Sequence, residues 1–327
     1  MSTLTFATGR PGDIGLPHPF MNRTTEQHIA TLPSSPTKVL DCDKVRFIPT
    51  HQIRGTKVQR GRLVDAREPT KVLLVDCMLK LYWQRLNVAE DEDEETPRID
   101  RELAIHNKIV AVPECVDLVP EFYGTFRGGG LTHAKHLEFS CIIMEYCGEF
   151  FTENQVYSMD KVFRDAVADA ASGLIALHVH AKLERGAPLE RDSVVWNGVK
   201  DSLPKWVGLA EWTEHLDCLE AKLTAEESAK KYVTPQWEIP RDGICPEIFY
   251  TLRDALQFWV PTHFESRGFK APMANQVENF EAYYQRYLAN DGLLDFQKKN
   301  IKDVYEQWWR LHGHRMQALL GHRRSPS

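Results

Sequence analysis

The feature that most constrains this chain is a single change of hydrophobic period. From Lys44 to Tyr146 most apolar residues fall into short β-type runs: Val45-Arg46-Phe47-Ile48, Lys57 to Val64, Lys71 to Trp83 and Phe139 to Tyr146. Turn formers separate the first three, as a meandering antiparallel sheet requires, and a Gly128-Gly129-Gly130 turn precedes the last. One helical segment interrupts them over Asp100 to Val112, where Leu103, Ile105, Ile109 and Val110 are apolar and Glu102 stands on the early turns. After Ser158, read as an N-cap, Phe163, Val167, Ala170, Leu174 and Leu177 recur every three or four residues. Short β-type pieces follow at Val194-Val195-Trp196 and Trp206 to Leu209. Helical periods then dominate, including 277–288 and a stripe of Ile301, Val304, Tyr305, Trp308 and Leu311 read as core.

Within the third run a single cation, Lys80, interrupts Val72, Leu73, Leu74, Val75, Met78, Leu79 and Leu81. An ammonium on an apolar strand is costly unless a carboxylate or phosphate meets it; the alternative is a lysine at a sheet edge that snorkels into solvent. Residues 1–37 show no sustained period and read as a mobile arm. Gly9, Gly12 and Gly15 lie there with no preceding strand, so a phosphate loop is not inferred. The six acids Glu90 to Glu95 repel one another and read as a solvated loop. His312, His314 and His322 stand among Arg315, Arg323 and Arg324, which would repel a metal cation, so they read as a frayed basic tail.

At 327 residues the chain allows one two-lobed unit or two small domains. Forty Lys and Arg against 46 Asp and Glu leave a net charge of −6, without the basic footprint of a nucleic-acid binder. The seven cysteines form no C-x-x-C pair, and Cys77, Cys141 and Cys147 lie in strand-like apolar surroundings as core thiols. An intracellular location, cytoplasmic or nuclear, follows. No apolar leader and no membrane-spanning run is evident, so no membrane partner is expected.

Several segments resemble the protein-kinase-like family, in particular its fungal members. Leu79-Lys80-Leu81-Tyr82-Trp83 looks like the strand whose lysine pairs the nucleotide phosphates, and Arg101-Glu102-Leu103-Ala104-Ile105-His106 like the helix whose glutamate holds that lysine. Val119-Pro120-Glu121-Phe122-Tyr123-Gly124 resembles the segment between that helix and the next strand. Phe139 to Gly148 resembles the strand leading into the hinge, and Leu177-His178 the end of the long helix before the catalytic loop. The resemblance implies an α+β, protein-kinase-like two-lobed fold: a small β-rich N-lobe with one helix over 38–147 and a larger, mainly helical C-lobe over 148–327. It implies ATP as a ligand, with Lys80, Glu102, Met144, Glu145 and Cys147 as nucleotide-binding residues. Met144 would gate the back of the pocket, and the backbone of Glu145 and Cys147 would face adenine.

The same resemblance breaks down where phosphoryl transfer needs its acids. Gly186-Ala187-Pro188-Leu189-Glu190-Arg191-Asp192-Ser193-Val194-Val195-Trp196 resembles the fungal catalytic loop from its C-terminal end, which puts Pro188 at the catalytic aspartate and Ser193 at the metal-binding asparagine. Trp206 to His215 resembles the following metal-binding strand and puts Gly208 at its aspartate. Both Mg²⁺ anchors and the base are then missing, which argues against Mg²⁺ and leaves no catalytic or metal residue assigned. Asp192, Glu190 and Glu211 are the fallback acids. Three functional expectations compete: a pseudokinase that binds or scaffolds a protein partner, an atypical ATP-dependent phosphotransferase using those acids, and a non-kinase α+β interaction protein.

Overall fold

The structure is a computed structural model. It describes residues 3–6, 29–31, 44–53, 58–85, 95–132, 135–156, 160–185, 193–218, 244–259, 263–266, 269–272 and 306–316, with isolated positions at 227, 232, 233, 285, 289, 303 and 304. The chain is mixed α+β, with a largely antiparallel sheet and several helices. It divides into two compact units, Met1–Glu149 with Lys205–Thr213, and Phe150–Pro204 with Glu214–Ser327. Lys205–Thr213 groups with the first unit. Lys205 pairs there with Glu145, and Glu211 with Arg98.

The first unit is built on strands β1 (Thr3–Phe6), β2 (Ile29–Thr31), β3 (Lys44–Ile53), β4 (Val58–Asp65), β5 (Val72–Arg85), β6 (Phe122–Thr132) and β7 (Lys135–Glu145). They close a barrel in the order β1-β2-β6-β7-β5-β4-β3, antiparallel except for β1 beside β3. β1 and β2 arise from the stretch expected to carry no regular structure. Gly128 to Gly130, expected as a turn, continue β6 and pair with Phe139, Glu138 and Leu137, and the pairing runs on to Thr132 with Lys135.

Strand periodicity sorts β5 into two faces. Cys77, Leu79 and Leu81 join Val45, Phe47, Leu63, Phe126, Cys141 and Ile143 in one core, and Met78 and Tyr82 point to the other side, with Lys80 in register between them. That second face packs against helix α1 (Glu95–Val110), where Ile99 and Leu103 meet Tyr82, Phe122, Ile142 and Met144. The helix starts five residues before the expected Asp100. Pro97 is tolerated in the first turn because its missing N–H has no intrahelical partner to lose there. Glu95 therefore belongs to the helix, and the rest of the acidic run lies outside the described residues.

Gly61 lies in β4 where a Cβ would sit 2.4 Å from the Ile48 carbonyl oxygen and 2.6 Å from the Phe47 ring. Gly61→Ala must therefore shift backbone, and we expect it to cost about 1–3 kcal/mol, read by urea unfolding. A loss under about 0.5 kcal/mol would show that β3 and β4 yield freely at this point.

In the second unit, α2 (Glu153–Val156) precedes α3 (Lys161–Ala176). The N-cap of α3 is Asp160, whose carboxylate accepts from the Val162 N–H at 2.8 Å, rather than Ser158, which lies outside the described residues. Ala166, Val167, Ala170, Ala171, Leu174 and Ile175 form its buried side, and Phe163 meets Trp196 edge-on at 5.7 Å. The helix runs on into a wider π-type turn, Leu177–Ala181, which Lys182 ends in the left-handed region at φ 53°. Helix α4 (Pro246–Tyr250) begins after Cys245, and strands His263–Ser266 and Phe269–Pro272 form an antiparallel pair.

Residues 306–316 are helical, which corrects the frayed-tail reading of His312. His312 is buried and packs on Trp308 with ring centroids 4.9 Å apart. Arg315 donates to the Gln257 and Phe258 carbonyls at 2.7 and 2.6 Å, and Met316 is fully buried. The expected core stripe is not buried where it is described: Trp308 and Leu311 are half-buried and Val304 is 43% exposed, while Ile301 and Tyr305 lie outside the described residues.

Candidate functional site

Lys80 does not snorkel from a sheet edge, because β5 is flanked by β4 on one side and β7 on the other. Its Nζ donates to both carboxylate oxygens of Glu102, at 2.9 and 2.6 Å. The Tyr82 hydroxyl donates to the same carboxylate, and Nζ lies 5.3 Å from the Tyr82 ring centroid. Glu102 is almost completely enclosed, at 3% side-chain exposure, whereas Lys80 keeps 23%. A carboxylate so enclosed is tolerated because two donors satisfy it. The carboxylate end of the cluster is sealed, and the ammonium side chain keeps partial exposure.

Met144 is buried, paired in register with Met78 on β5 and Phe122 on β6, and packs against the α1 face. The Glu145 N–H donates to the Glu121 carbonyl at 2.8 Å. Its carboxylate accepts from Lys205 at 2.9 Å and from the Glu121 N–H at 3.2 Å. Burial acts to raise the Glu145 carboxyl, but these donors prevail and hold it below the usual carboxylate range. Burial, with the neighbouring Glu145 charge, pushes the Cys147 thiol up, and burial does the same to Cys77 and Cys141. All three thiols are free and buried, as core residues should be.

Of the degenerate positions, Pro188, Glu190 and Asp192 lie outside the described residues. Ser193 is buried, and its hydroxyl accepts from the Arg185 guanidinium at 3.2 Å. A cation already beside that oxygen works against a second one, such as Mg²⁺. Gly208 adopts φ 75°, in the left-handed region, and offers no side-chain ligand. Glu211, a fallback acid, is exposed and pairs with Arg98 at 3.1 Å.

A second cluster, which the sequence reading did not assign, lies wholly within the second unit. The ligand-capable atoms of His178, His215, Cys218 and Cys245 all lie within 4.8 Å of one another. His178 is carried by the π-type turn after α3, and Cys245 is the residue before α4. His215 and Cys218 bracket a tight turn, and the His215 N–H donates to the Lys182 carbonyl at 2.8 Å. Cys218 Sγ is 3.6 Å from His178 Nδ1, and Cys245 Sγ is 3.7 Å from that nitrogen and 3.5 Å from His215 Nε2. The far ring nitrogens face carboxylates: His215 Nδ1 lies 2.9 Å from Glu184, and His178 Nε2 3.8 Å from Glu247. Contact with Cys218 holds the Cys245 thiol well below the usual thiol range, against burial and with help from His178. For His178, burial favours the neutral ring, but its contacts with Cys245 and Glu247 prevail and raise it.

The only local signal for this cluster is the spacing His215-x-x-Cys218, a short chelating turn. His178 and Cys245 stand about 37 and 27 residues from it and become neighbours only through the fold. No protein-family model matches the chain, and no curated protein matches it.

Proposed function

We propose that the chain is a protein-kinase-like protein that has lost phosphoryl-transfer chemistry and acts as a binding or scaffolding module for a protein partner, with an anion or nucleotide phosphate as a ligand of Lys80. The observation that carries this reading is the Lys80–Glu102 pair, which links a strand of the barrel to helix α1, as kinases link the phosphate-pairing lysine to a helix glutamate. The chemistry-bearing positions support the second half of the proposal. Ser193 is engaged by Arg185, Gly208 has no side chain, and Glu211 is engaged by Arg98. Pro188 stands where the aligned base should be and has no proton acceptor on its side chain.

Thermal unfolding with ATP, alone and with Mg²⁺, separates binding from metal-assisted binding. We expect Mg²⁺ to add nothing to whatever ATP does by itself, because the aligned metal positions offer no carboxylate. ATP turnover by the parent protein should equal that of Lys80→Ala. Turnover that is lost in Lys80→Ala, or a melting temperature that rises only when Mg²⁺ joins ATP, would replace this reading with the phosphotransferase one.

A further inference from the structure

We propose that His178, His215, Cys218 and Cys245 hold a structural zinc ion in tetrahedral Cys₂His₂ coordination. The inference does not rest on the kinase-like reading. Zinc takes sulfur at about 2.3 Å and imidazole nitrogen at about 2.0–2.1 Å, so tetrahedral geometry separates a sulfur ligand from a nitrogen ligand by about 3.5–3.6 Å. Three of the four sulfur–nitrogen separations here are 3.6, 3.7 and 3.5 Å, and all ligand atoms lie within 4.8 Å of one another. Hydrogen bonding alone accounts for them poorly. His178 Nδ1 has one in-plane site, yet both sulfurs lie against it, so hydrogen bonding would serve them only by one shared, weaker bond. A cation between the four atoms meets all of them.

The surroundings match what zinc ligands need. Metal-bound imidazoles characteristically turn their other nitrogen toward a carboxylate or carbonyl, which fixes the ring and its tautomer. Glu184 stands in that place for His215 at 2.9 Å, and Glu247 faces His178 at 3.8 Å. Glu247 is itself oriented by the Arg185 N–H, at 2.9 and 3.1 Å from its two oxygens. Four protein ligands close the coordination sphere, and His178, Cys218 and Cys245 are 0%, 4% and 1% exposed, so no position remains for water or substrate. Enclosure argues against a nucleophilic cysteine and for a structural ion. A sulfur and nitrogen set of this shape selects zinc over the hard cations Mg²⁺ and Ca²⁺. The ion would join the end of α3, the 215–218 turn and the start of α4, three points that are far apart in sequence.

The test uses the full chain, purified under reducing conditions without added metal. Elemental analysis should find about one zinc per chain, the complement of one tetrahedral site. Strong chelation should lower the melting temperature, and stoichiometric zinc should restore it. Cobalt added to the chelated protein should give the visible bands of a tetrahedral ion and a thiolate charge-transfer band. Cys218→Ser and His178→Ala should lose both metal and bands. In case those variants fail to fold, Glu184→Gln keeps all four ligands and should bind zinc about 10–100-fold more weakly in competition with a chromophoric chelator. The proposal is overturned if the parent carries no zinc and takes up no cobalt with those bands, or if a Cys218–Cys245 disulfide survives in the reduced protein. It is also overturned if Glu184→Gln matches the parent in affinity.

Discussion

Glu102→Ala is expected to destabilise the protein by about 3 kcal/mol in urea unfolding, one of the largest effects of any single substitution in the first unit. Removing one partner of a buried ion pair costs about 3–5 kcal/mol, because the surviving charge is left without compensation. The low end applies because Lys80 keeps 23% of its side-chain exposure and some hydration. Tyr82 adds to the loss, since its buried hydroxyl donates to the same carboxylate. The triple variant Lys80→Met, Tyr82→Phe, Glu102→Leu, which leaves no hydroxyl without its acceptor, should behave quite differently. Replacing both charges with apolar groups of similar size is often neutral or stabilising, and Met78, Leu103 and Tyr82 already provide apolar neighbours on that face. Near-parental stability of the triple variant would show that the pair is not needed to hold the sheet to the helix. Its retention would then point to an anionic ligand of Lys80. A loss under about 1 kcal/mol for Glu102→Ala would mean that solvent screens the pair, and the ligand argument would lose its basis.

How far the sequence reveals such features depends on whether their cause is local. The main sheet strands and α1 were legible because apolar spacing of two and of three to four is written along contiguous residues. Lys80 was legible because an ammonium inside an apolar strand demands a partner, whereas Glu102 was singled out among many nearby acids only through the kinase-like resemblance. β1 and β2 were not legible. They are held to neighbouring strands by main-chain pairing, and such pairing leaves little mark on the side-chain pattern. The start of α1 was not legible because its first residues, Glu95, Thr96 and Pro97, carry no apolar period, and proline is harmless in a first turn. The His/Cys cluster was hidden for a topological reason. Only His215 and Cys218 are near in sequence, and each of the others reads alone as an ordinary buried residue. His312 was misread because charged neighbours suggested exposure, although Arg315 is turned toward the carbonyls of Gln257 and Phe258.

His312 should make the second unit acid-sensitive well above the range in which carboxylates titrate. Burial, reinforced by the positive charge of Arg315 and by His314, pushes its imidazole down to about 3, against an ordinary value near 6.5. The folded state therefore holds a neutral ring where the unfolded chain would take up a proton. Above about pH 6.5 both states are neutral at this site, and stability is at its full value. As the pH falls below 6.5 the unfolded state binds a proton that the folded state refuses, and unfolding becomes easier by up to about 1.4 kcal/mol per pH unit until the folded pKa is reached. His106 acts in the same direction in the first unit: burial lowers it, only partly offset by its contact with the Pro120 carbonyl at 3.0 Å. Glu145, whose pKa is depressed, loses its contribution only on further acidification, below the ordinary carboxylate range. Between pH 6.5 and 5, His312 and His106 thus act in the same direction. Urea midpoints taken across that window should fall steadily for the parent protein. In His312→Phe, which retains a ring to pack on Trp308, the decline should be distinctly shallower while stability at pH 7.5 changes little. An unchanged slope in that variant would mean that His312 becomes protonated in the folded protein at ordinary pH, and that Arg315 does not keep a second positive charge away from it.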